Sequence, residues 1–426
     1  MKFILLLLFC PILLFSQGYT SYFTGNTTNI TTNPEFGVCL MGGATENDNA
    51  MRWLLQKANG GDVIVLRSTG SNGYNNYLYS TPGVTVNSVE TLVITSIAGA
   101  INPYVLNKVA NAELIWFAGG DQWNYVSYFK DNALEDLINN HVTNKHAPIG
   151  GTSAGMAILG GKYFSAQNGS VTSTQATSNP YASNVTLGNN DFVNIPILNN
   201  VITDTHFNNP DRKGRLATFL ARFQQDTAVQ TNGIAANEYV AVCIDAGGTA
   251  RVFGDYPNYQ EFAYFVMPNC NNTSGIENCT TGQPLNWNFN GKALNVYKVP
   301  GTMTGANSYT ISSFGSDNGI GGTWEDWSVV NGVFSSTNGN ASNCILNNNQ
   351  FNEKSILVIP NPIKDEFIIE GIEMSTLTIY DNLGRLVLEK KVKGSENINI
   401  NNFKSGIYTI KISSNENTLI KKIIKL

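Results

Sequence analysis

A chain of 426 residues, 42% of them hydrophobic, is long enough for two or three domains and apolar enough to bury them, which excludes wholesale disorder. Only 13% of residues are charged, about half the ~25% usual for soluble domains, so Asn, Ser, Thr and Gly carry the surface. A net charge of -5 without a basic stripe excludes a nucleic-acid partner.

Residues 1–16 read as a secretion signal. Lys2 supplies the positive start, Phe3 to Phe15 an apolar run interrupted at Pro11, and Ser16 the small residue before Gln17. The run is shorter than the ~20 residues a membrane helix needs. Cys10 lies inside it, leaving Cys39, Cys243, Cys270, Cys279 and Cys344, an odd number, in the mature chain. Cys270 and Cys279 flank an Asn-rich loop and are expected to bridge locally. Cys39 and Cys243 sit in apolar runs and are expected to be buried free thiols.

Between Phe36 and Asp245, short apolar runs alternate with helix-like stretches. The runs are Phe36–Met41, Val63–Arg67, Leu92–Thr95, Leu114–Ala118, Pro148–Gly150, Val201–Thr203 and Tyr239–Ile244; helices are expected over Asn49–Ala58 and Tyr128–Asn139. Continuous apolar runs suit strands buried on both faces, so residues 17–268 are expected to form a doubly wound, mostly parallel α/β domain. Residues 269–346, with Trp287, Trp324 and Trp327, read as a β-rich extension of that domain, and 347–355 as a polar linker. Residues 356–426 read as a small β-sandwich with strands at Leu377–Tyr380, Leu386–Leu388, Tyr408–Ile412 and Leu419–Ile424.

The chemistry concentrates in Gly151-Thr152-Ser153-Ala154-Gly155, where an apolar strand runs into G-x-S-x-G and then a helix-like segment. A sharp strand-to-helix turn lifts a serine hydroxyl above the sheet and places the amide of Ala154 where it can donate to an oxyanion. Ser153 is therefore the candidate nucleophile. Its base must be one of three histidines. His141 and His146 flank a polar turn and read as solvated, whereas His206 ends the apolar run Val201–Thr203, at the strand edge where α/β sites form. The turn Ala118-Gly119-Gly120-Asp121-Gln122 offers further amides to complete an oxyanion hole. Gly42-Gly43 lacks the full dinucleotide fingerprint, so no nucleotide cofactor is inferred, and neither cofactor nor metal is expected.

Taken in this order and spacing, Ala118–Gln122, Gly151–Gly155 and Asp204-Thr205-His206-Phe207 with Arg212 and Arg215 resemble the cyanophycinase and dipeptidase E family of serine peptidases over roughly Phe36–Pro268. The resemblance implies a class I glutamine amidotransferase-like three-layer fold with serine in place of cysteine. It implies Ser153 as nucleophile, His206 as base, an oxyanion hole from Gly120 or Asp121 with Ala154, and a substrate pocket lined by Gln122, Asp204, Arg212 and Arg215. It also implies cleavage of short or aspartyl peptides, including the β-linked Asp-Arg units of cyanophycin, through an acyl-enzyme. The acid that orients the histidine is expected between Ser153 and His206, yet Ala154 to Asn190 holds no Asp or Glu; Gln167, Gln175, Asp191 and Asp204 are the substitutes. Residues 356–426, with Ile359-Pro360-Asn361-Pro362, Tyr380-Asp381-Asn382-Leu383-Gly384 and the Lys421–Leu426 end, resemble a type A sorting domain of the type IX secretion system. Its partner would be that secretion machinery, and the implied destination is the cell surface or beyond.

Two other readings remain at this level. The empty acid stretch and the Trp-rich extension allow a catalytically weakened surface or binding protein on the same scaffold. An α/β-hydrolase esterase would need its acid before its histidine; Asp191 or Asp245 could be invoked, but Asp245 follows His206.

Overall fold

The computed structural model describes residues 17–342, 357–382, 384–413 and 418–426. The apolar leader 1–16, the linker 347–355, Cys10 and Cys344 lie outside them. The chain divides into two compact units, residues 1–343 and 344–426.

The first unit holds two mixed sheets rather than one mostly parallel sheet. The nine-stranded sheet runs, edge to edge, Tyr19–Gly25, Ser88–Ile94, Asp62–Arg67, Leu114–Phe117, Ile149–Thr152, Val38–Met41, Ala241–Ile244, Thr249–Phe253 and Asn307–Thr310. Its inner five, from Ser88–Ile94 to Val38–Met41, pair in parallel, and the flanking strands pair antiparallel. The runs that read as doubly buried are so: Asp62–Leu66 and Leu114–Phe117 are buried at every position. Tyr19–Gly25 escapes such a reading because this edge strand is at most half-buried and mixes Thr20, Ser21 and Thr24 with its aromatic residues.

The eight-stranded sheet runs Val333–Asn338, Thr323–Val330, Leu294–Pro300, Phe262–Pro268, Asn232–Ala236, Val201–Asp204, Lys162–Phe164 and Leu187–Asn189. Its parallel pairs are Asn232–Ala236 with Val201–Asp204, and Val201–Asp204 with Lys162–Phe164. Strands beyond Pro268 extend both sheets. Trp287 and Trp327 are fully buried on the far face of the second sheet, and Trp324 packs on the central core with its indole donating to Asp317. The aromatic extension is thus core, which removes one motive for a surface-binding reading.

Three apolar cores separate the layers. The central one gathers Leu40, Leu66 and Phe117 from the first sheet, Ile234 and Phe265 from the second, and Val105, Phe129 and Ile138 from helices. Helix Asp48–Lys57 covers the opposite face of the first sheet through Ala50, Met51, Leu54 and Leu55, and Asn47 caps it by accepting from Asn49 N and Ala50 N. Helix Lys213–Thr227 covers the second sheet. The single helix expected over Tyr128–Asn139 is two, Gln122–Phe129 and Ala133–Thr143. The chain breaks at Asp131, with φ +60°, and Asn132 restarts the helix by accepting from Leu134 N at 3.0 Å.

The second unit is one antiparallel five-stranded sheet rather than a sandwich: Leu357–Ile359, Glu366–Tyr380, Leu386–Asn399, Gly406–Ser413 and Thr418–Lys425. Register shifts between Ile369 and Ser375 bend the long Glu366–Tyr380 strand against its partner. The sheet curls until Ile363 N donates to Ile424 O at 2.7 Å, enclosing Phe367, Ile379, Ile398, Ile410 and Ile423. The charged run Glu389–Lys393 hides the full length of Leu386–Asn399 from a purely apolar reading.

Candidate functional site

Ser153 follows strand Ile149–Thr152 and occupies the N-cap of the short helix Ala154–Ala157, at φ +52° and ψ -118°. A serine in that left-handed conformation is held by its surroundings. Its own N–H donates to Met41 O at 3.1 Å. The flanking glycines permit the turn: a Cβ on Gly151 would lie 2.6 Å from the Gly155 backbone, and one on Gly155 would lie 2.3 Å from Phe117 O. Ala154 opens the helix, so its amide is among those a helix leaves without an internal partner.

The Ser153 Oγ–H donates to His206 Nε2 at 2.7 Å, and His206 Nδ1–H donates to Glu238 Oε1 at 2.7 Å. His206 follows strand Val201–Asp204 and Glu238 follows its parallel neighbour Asn232–Ala236. Serine and histidine therefore leave different sheets and meet between them; they do not share one sheet edge as expected. The hydrogen bond from His206, a second from Asn209 Nδ2 at 3.4 Å and the nearby Arg212 charge hold the Glu238 carboxyl below the usual carboxylate range.

Glu238 is the residue that sequence reasoning missed. The acid was sought between serine and histidine, but it comes 32 positions after His206. The substitutes lie elsewhere. Asp191 pairs with Lys130 and accepts from Tyr163 Oη, Gln175 completes the cap of helix Ser173–Ser178 with Thr172, and Gln167 sits beside Ser165 and Thr186. The available signal was a carboxylate just past a short apolar strand, Gly233–Ala236, that repeats the strand-end placement of His206.

Gly42-Gly43 has a structural purpose at this site. His206 sits at φ +45° with its N–H donating to Gly42 O at 2.7 Å. A Cβ on Gly43, at φ +121°, would stand 2.4 Å from imidazole atoms, and one on Gly42 would stand 2.0 Å from Asn237 O. The glycine pair makes room for the imidazole and the loop that carries Glu238.

The remaining expected residues separate into two groups. Gly119 faces Ser153, its notional Cβ 3.4 Å from Ser153 Cβ, and Gly120 follows at φ +148°. Asp121 spends its carboxylate capping the next helix, accepting from Trp123 N at 2.9 Å. Gln122 Nε2 donates to Phe164 O at 2.8 Å, tying the glycine turn to the second sheet. Asp204 and Arg215, expected to line a pocket, are buried against each other instead: Arg215 Nε donates to Asp204 Oδ2 at 2.9 Å, and the Nη2–Oδ1 contact makes the pair bidentate. Arg212 is half-buried and donates through Nη1 to Thr205 O at 2.8 Å; burial and the adjacent Arg215 lower its pKa to about 10.

His146 is exposed as expected, but His141 is not. It is buried in helix Ala133–Thr143, donates through Nε2 to Pro148 O at 2.9 Å, and burial lowers its pKa to about 4. Cys39, Cys243 and Cys279 are buried free thiols, so the expected Cys270–Cys279 bridge is absent; Cys270 is disulfide-bonded, but not to Cys279. Among the described residues no cluster of three or more His, Cys, Asp or Glu side chains could hold a metal.

A hydroxyl, an imidazole and a carboxylate in series, with turn amides beside the hydroxyl, form the apparatus of a hydrolase. Comparison with known proteins narrows this class: residues 78–252 match the model of Peptidase family S51, and residues 357–426 that of the Secretion system C-terminal sorting domain. The resemblances to the cyanophycinase and dipeptidase E family and to the type IX sorting domain are both borne out, so the chain carries a region similar to the S51 peptidases and a C-terminal sorting domain. Over 169 residues the chain is 28% identical to the cyanophycinases of Synechococcus elongatus and Thermosynechococcus vestitus, covering 40% of this chain. The matched region spans 48%, about half, of those relatives' length. A solved peptidase from an acI-B1 Actinobacterium aligns at a TM-score of 0.38 and 16% identity, over 53% of this chain and 90% of that one.

Proposed function

We propose that the chain is an exported serine peptidase that cleaves short or aspartate-containing peptides, β-aspartyl linkages included, through an acyl-enzyme on Ser153. The observation that carries this reading is the unbroken chain from Ser153 Oγ to His206 to Glu238, with both links at 2.7 Å. In the first step His206 Nε2 takes the hydroxyl proton as Oγ attacks the scissile carbonyl, and Glu238 stabilises the imidazolium. The oxyanion is received by the Ala154 amide and by an amide of the Gly120-Asp121 turn. The imidazolium then protonates the leaving amine, and water releases the acyl group by the reverse sequence.

With Asp204 and Arg215 committed to each other, Arg212 is the guanidinium left to meet a substrate carboxylate, and Gln122 supports the pocket on the side of the second sheet. A carboxylate on the histidine and a buried aromatic extension remove both motives for a weakened, binding-only reading. The order serine, histidine, acid also differs from the serine, acid, histidine order of α/β-hydrolase esterases. Export by the type IX route, with the 357–426 tail read by the secretion machinery, would place this activity at or beyond the cell surface.

The test is product analysis of the full chain on cyanophycin and on a set of Asp-X and β-Asp-X dipeptides, alongside fluorophosphonate labelling. Labelling and hydrolysis are expected, both lost in Ser153→Ala. A folded wild-type chain that neither labels nor cleaves would overturn the reading.

A further inference from the structure

Strands Val38–Met41 and Ala241–Ile244 pair antiparallel, with Cys39 directly opposite Cys243. The Gly42 N–H donates to Val240 O at 2.8 Å, so Gly42 and Val240 form a hydrogen-bonded pair. Pairs alternate in an antiparallel ladder, and counting back three positions makes Cys39 and Cys243 a pair without mutual hydrogen bonds. Such a pair brings Cα atoms to about 4.5 Å and side chains onto one face, within the range a disulfide spans. Both thiols belong to the same core beneath helix Asp48–Lys57, and both are free and fully buried. Burial and the neighbouring Cys39 thiol push the Cys243 thiol well up.

The same two strands lead straight to the residues that seat His206. Beyond Cys39 come Gly42 and Gly43, and before Cys243 come Glu238, Tyr239 and Val240. Tyr239 N donates to Gly43 O at 3.0 Å, and His206 N to Gly42 O at 2.7 Å. The ladder between the cysteines and the imidazole is continuous.

We propose that Cys39 and Cys243 are an oxidative modification site, closing as a cross-strand disulfide that clamps the two strands seating His206 and Glu238. Chemically, one thiolate attacks a low-molecular-weight disulfide and expels one thiol, and the second cysteine displaces the other. The protein loses two protons and two electrons, and the small disulfide is reduced to two thiols. Full burial assigns this exchange to the folding chain or to transient opening of the strands. An export tail sends the chain toward the oxidising setting in which such bonds persist.

The experiment is to equilibrate the full chain with oxidised glutathione in dilute denaturant, return it to native buffer, alkylate under denaturing conditions and map peptides by mass. A Cys39–Cys243 cross-linked peptide is expected, with a melting temperature about 5 °C or more above that of the Cys39→Val variant treated identically. The variant keeps the Cys270 bond, so the difference isolates the new one, and valine keeps the core filled. Quantitative alkylation of both thiols after oxidation would overturn the proposal, as would a cross-link that leaves the melting temperature at that of Cys39→Val. Neither readout depends on peptide hydrolysis, so a failure here is distinguishable from a failure of the serine-peptidase reading.

Discussion

The two sheets of the first unit contribute unequally to legibility and equally to chemistry. The nine-stranded sheet delivers Ser153 and the Gly119-Gly120 turn from doubly buried strands whose apolar runs end in unmistakable glycine motifs. The eight-stranded sheet delivers His206 and Glu238 from two short strands of a three-strand parallel patch, which antiparallel neighbours flank on either side. A site assembled between sheets needs partners whose sequence spacing follows neither sheet alone. Ser153 could thus be read from one motif, while its partners required the pairing of Val201–Asp204 with Asn232–Ala236.

If the second sheet's share is as large as the first's, removing its carboxylate should cost almost as much as removing the base. Glu238→Gln keeps the shape but gives up the charge that stabilises the imidazolium. Its kcat is expected to fall by about 10³ to 10⁴, with labelling at Ser153 slowed in parallel. Activity within tenfold of wild type would break the comparison and return Glu238 to a structural role. Next in size is the ion pair beneath the same strand. Asp204→Ala leaves the buried Arg215 guanidinium uncompensated, at an expected cost of roughly 3–5 kcal/mol in denaturant unfolding. Arg215→Met combined with Asp204→Leu should recover much of it, because a packed apolar pair avoids both desolvation costs.

What the sequence made legible follows the same division. Asp62–Arg67 and Leu114–Phe117 announce themselves because parallel strands covered on both faces need unbroken apolar runs. Ser153 is legible because Gly151 and Gly155 pack backbone against backbone, which no other residue allows. Glu238 was hidden because Asn237-Glu238-Tyr239 after a five-residue strand reads like any loop; only the neighbouring strand's His206 gives it meaning. Asp204 and Arg215 carry the residue types of a binding pair, but their burial was not readable from spacing. The split at Asp131 and the curl of the C-terminal sheet both turn on local breaks, a left-handed residue and a bulged strand, that periodicity averages away.

A smaller effect belongs to the serine-bearing side. His141 braces Pro148 just ahead of strand Ile149–Thr152 and is held neutral, with its pKa near 4 in the folded state against about 6.5 unfolded. Between those values the unfolded chain binds a proton that the folded chain refuses. Stability should therefore fall as pH drops from about 6.5 to 4 and level off below, by on the order of 3 kcal/mol. In His141→Met that segment of the pH profile should flatten, whatever the variant's absolute stability, and an unchanged slope in urea titrations would remove His141 from the account.

The smallest predicted change tests the seam itself. Gly43 belongs to the segment after Val38–Met41 in the first sheet, yet it packs against the His206 imidazole with no room for a Cβ beside the ring. Gly43→Ala must displace the imidazole by a few tenths of an ångström or more, and alanine is also strained at φ +121°. A shift of that size lengthens both 2.7 Å links together, since Ser153 and Glu238 are held by different strands and cannot both follow. The expected outcome is a ten- to hundredfold loss in kcat with KM little changed, because the substrate pocket is untouched. The matched change Gly119→Ala, on the serine's other side, has a gap of 3.4 Å from Ser153 Cβ and should cost less. If Gly119→Ala proved the more damaging of the two, the weight of the site would lie with the nine-stranded sheet, and the equal division argued from the geometry would fail.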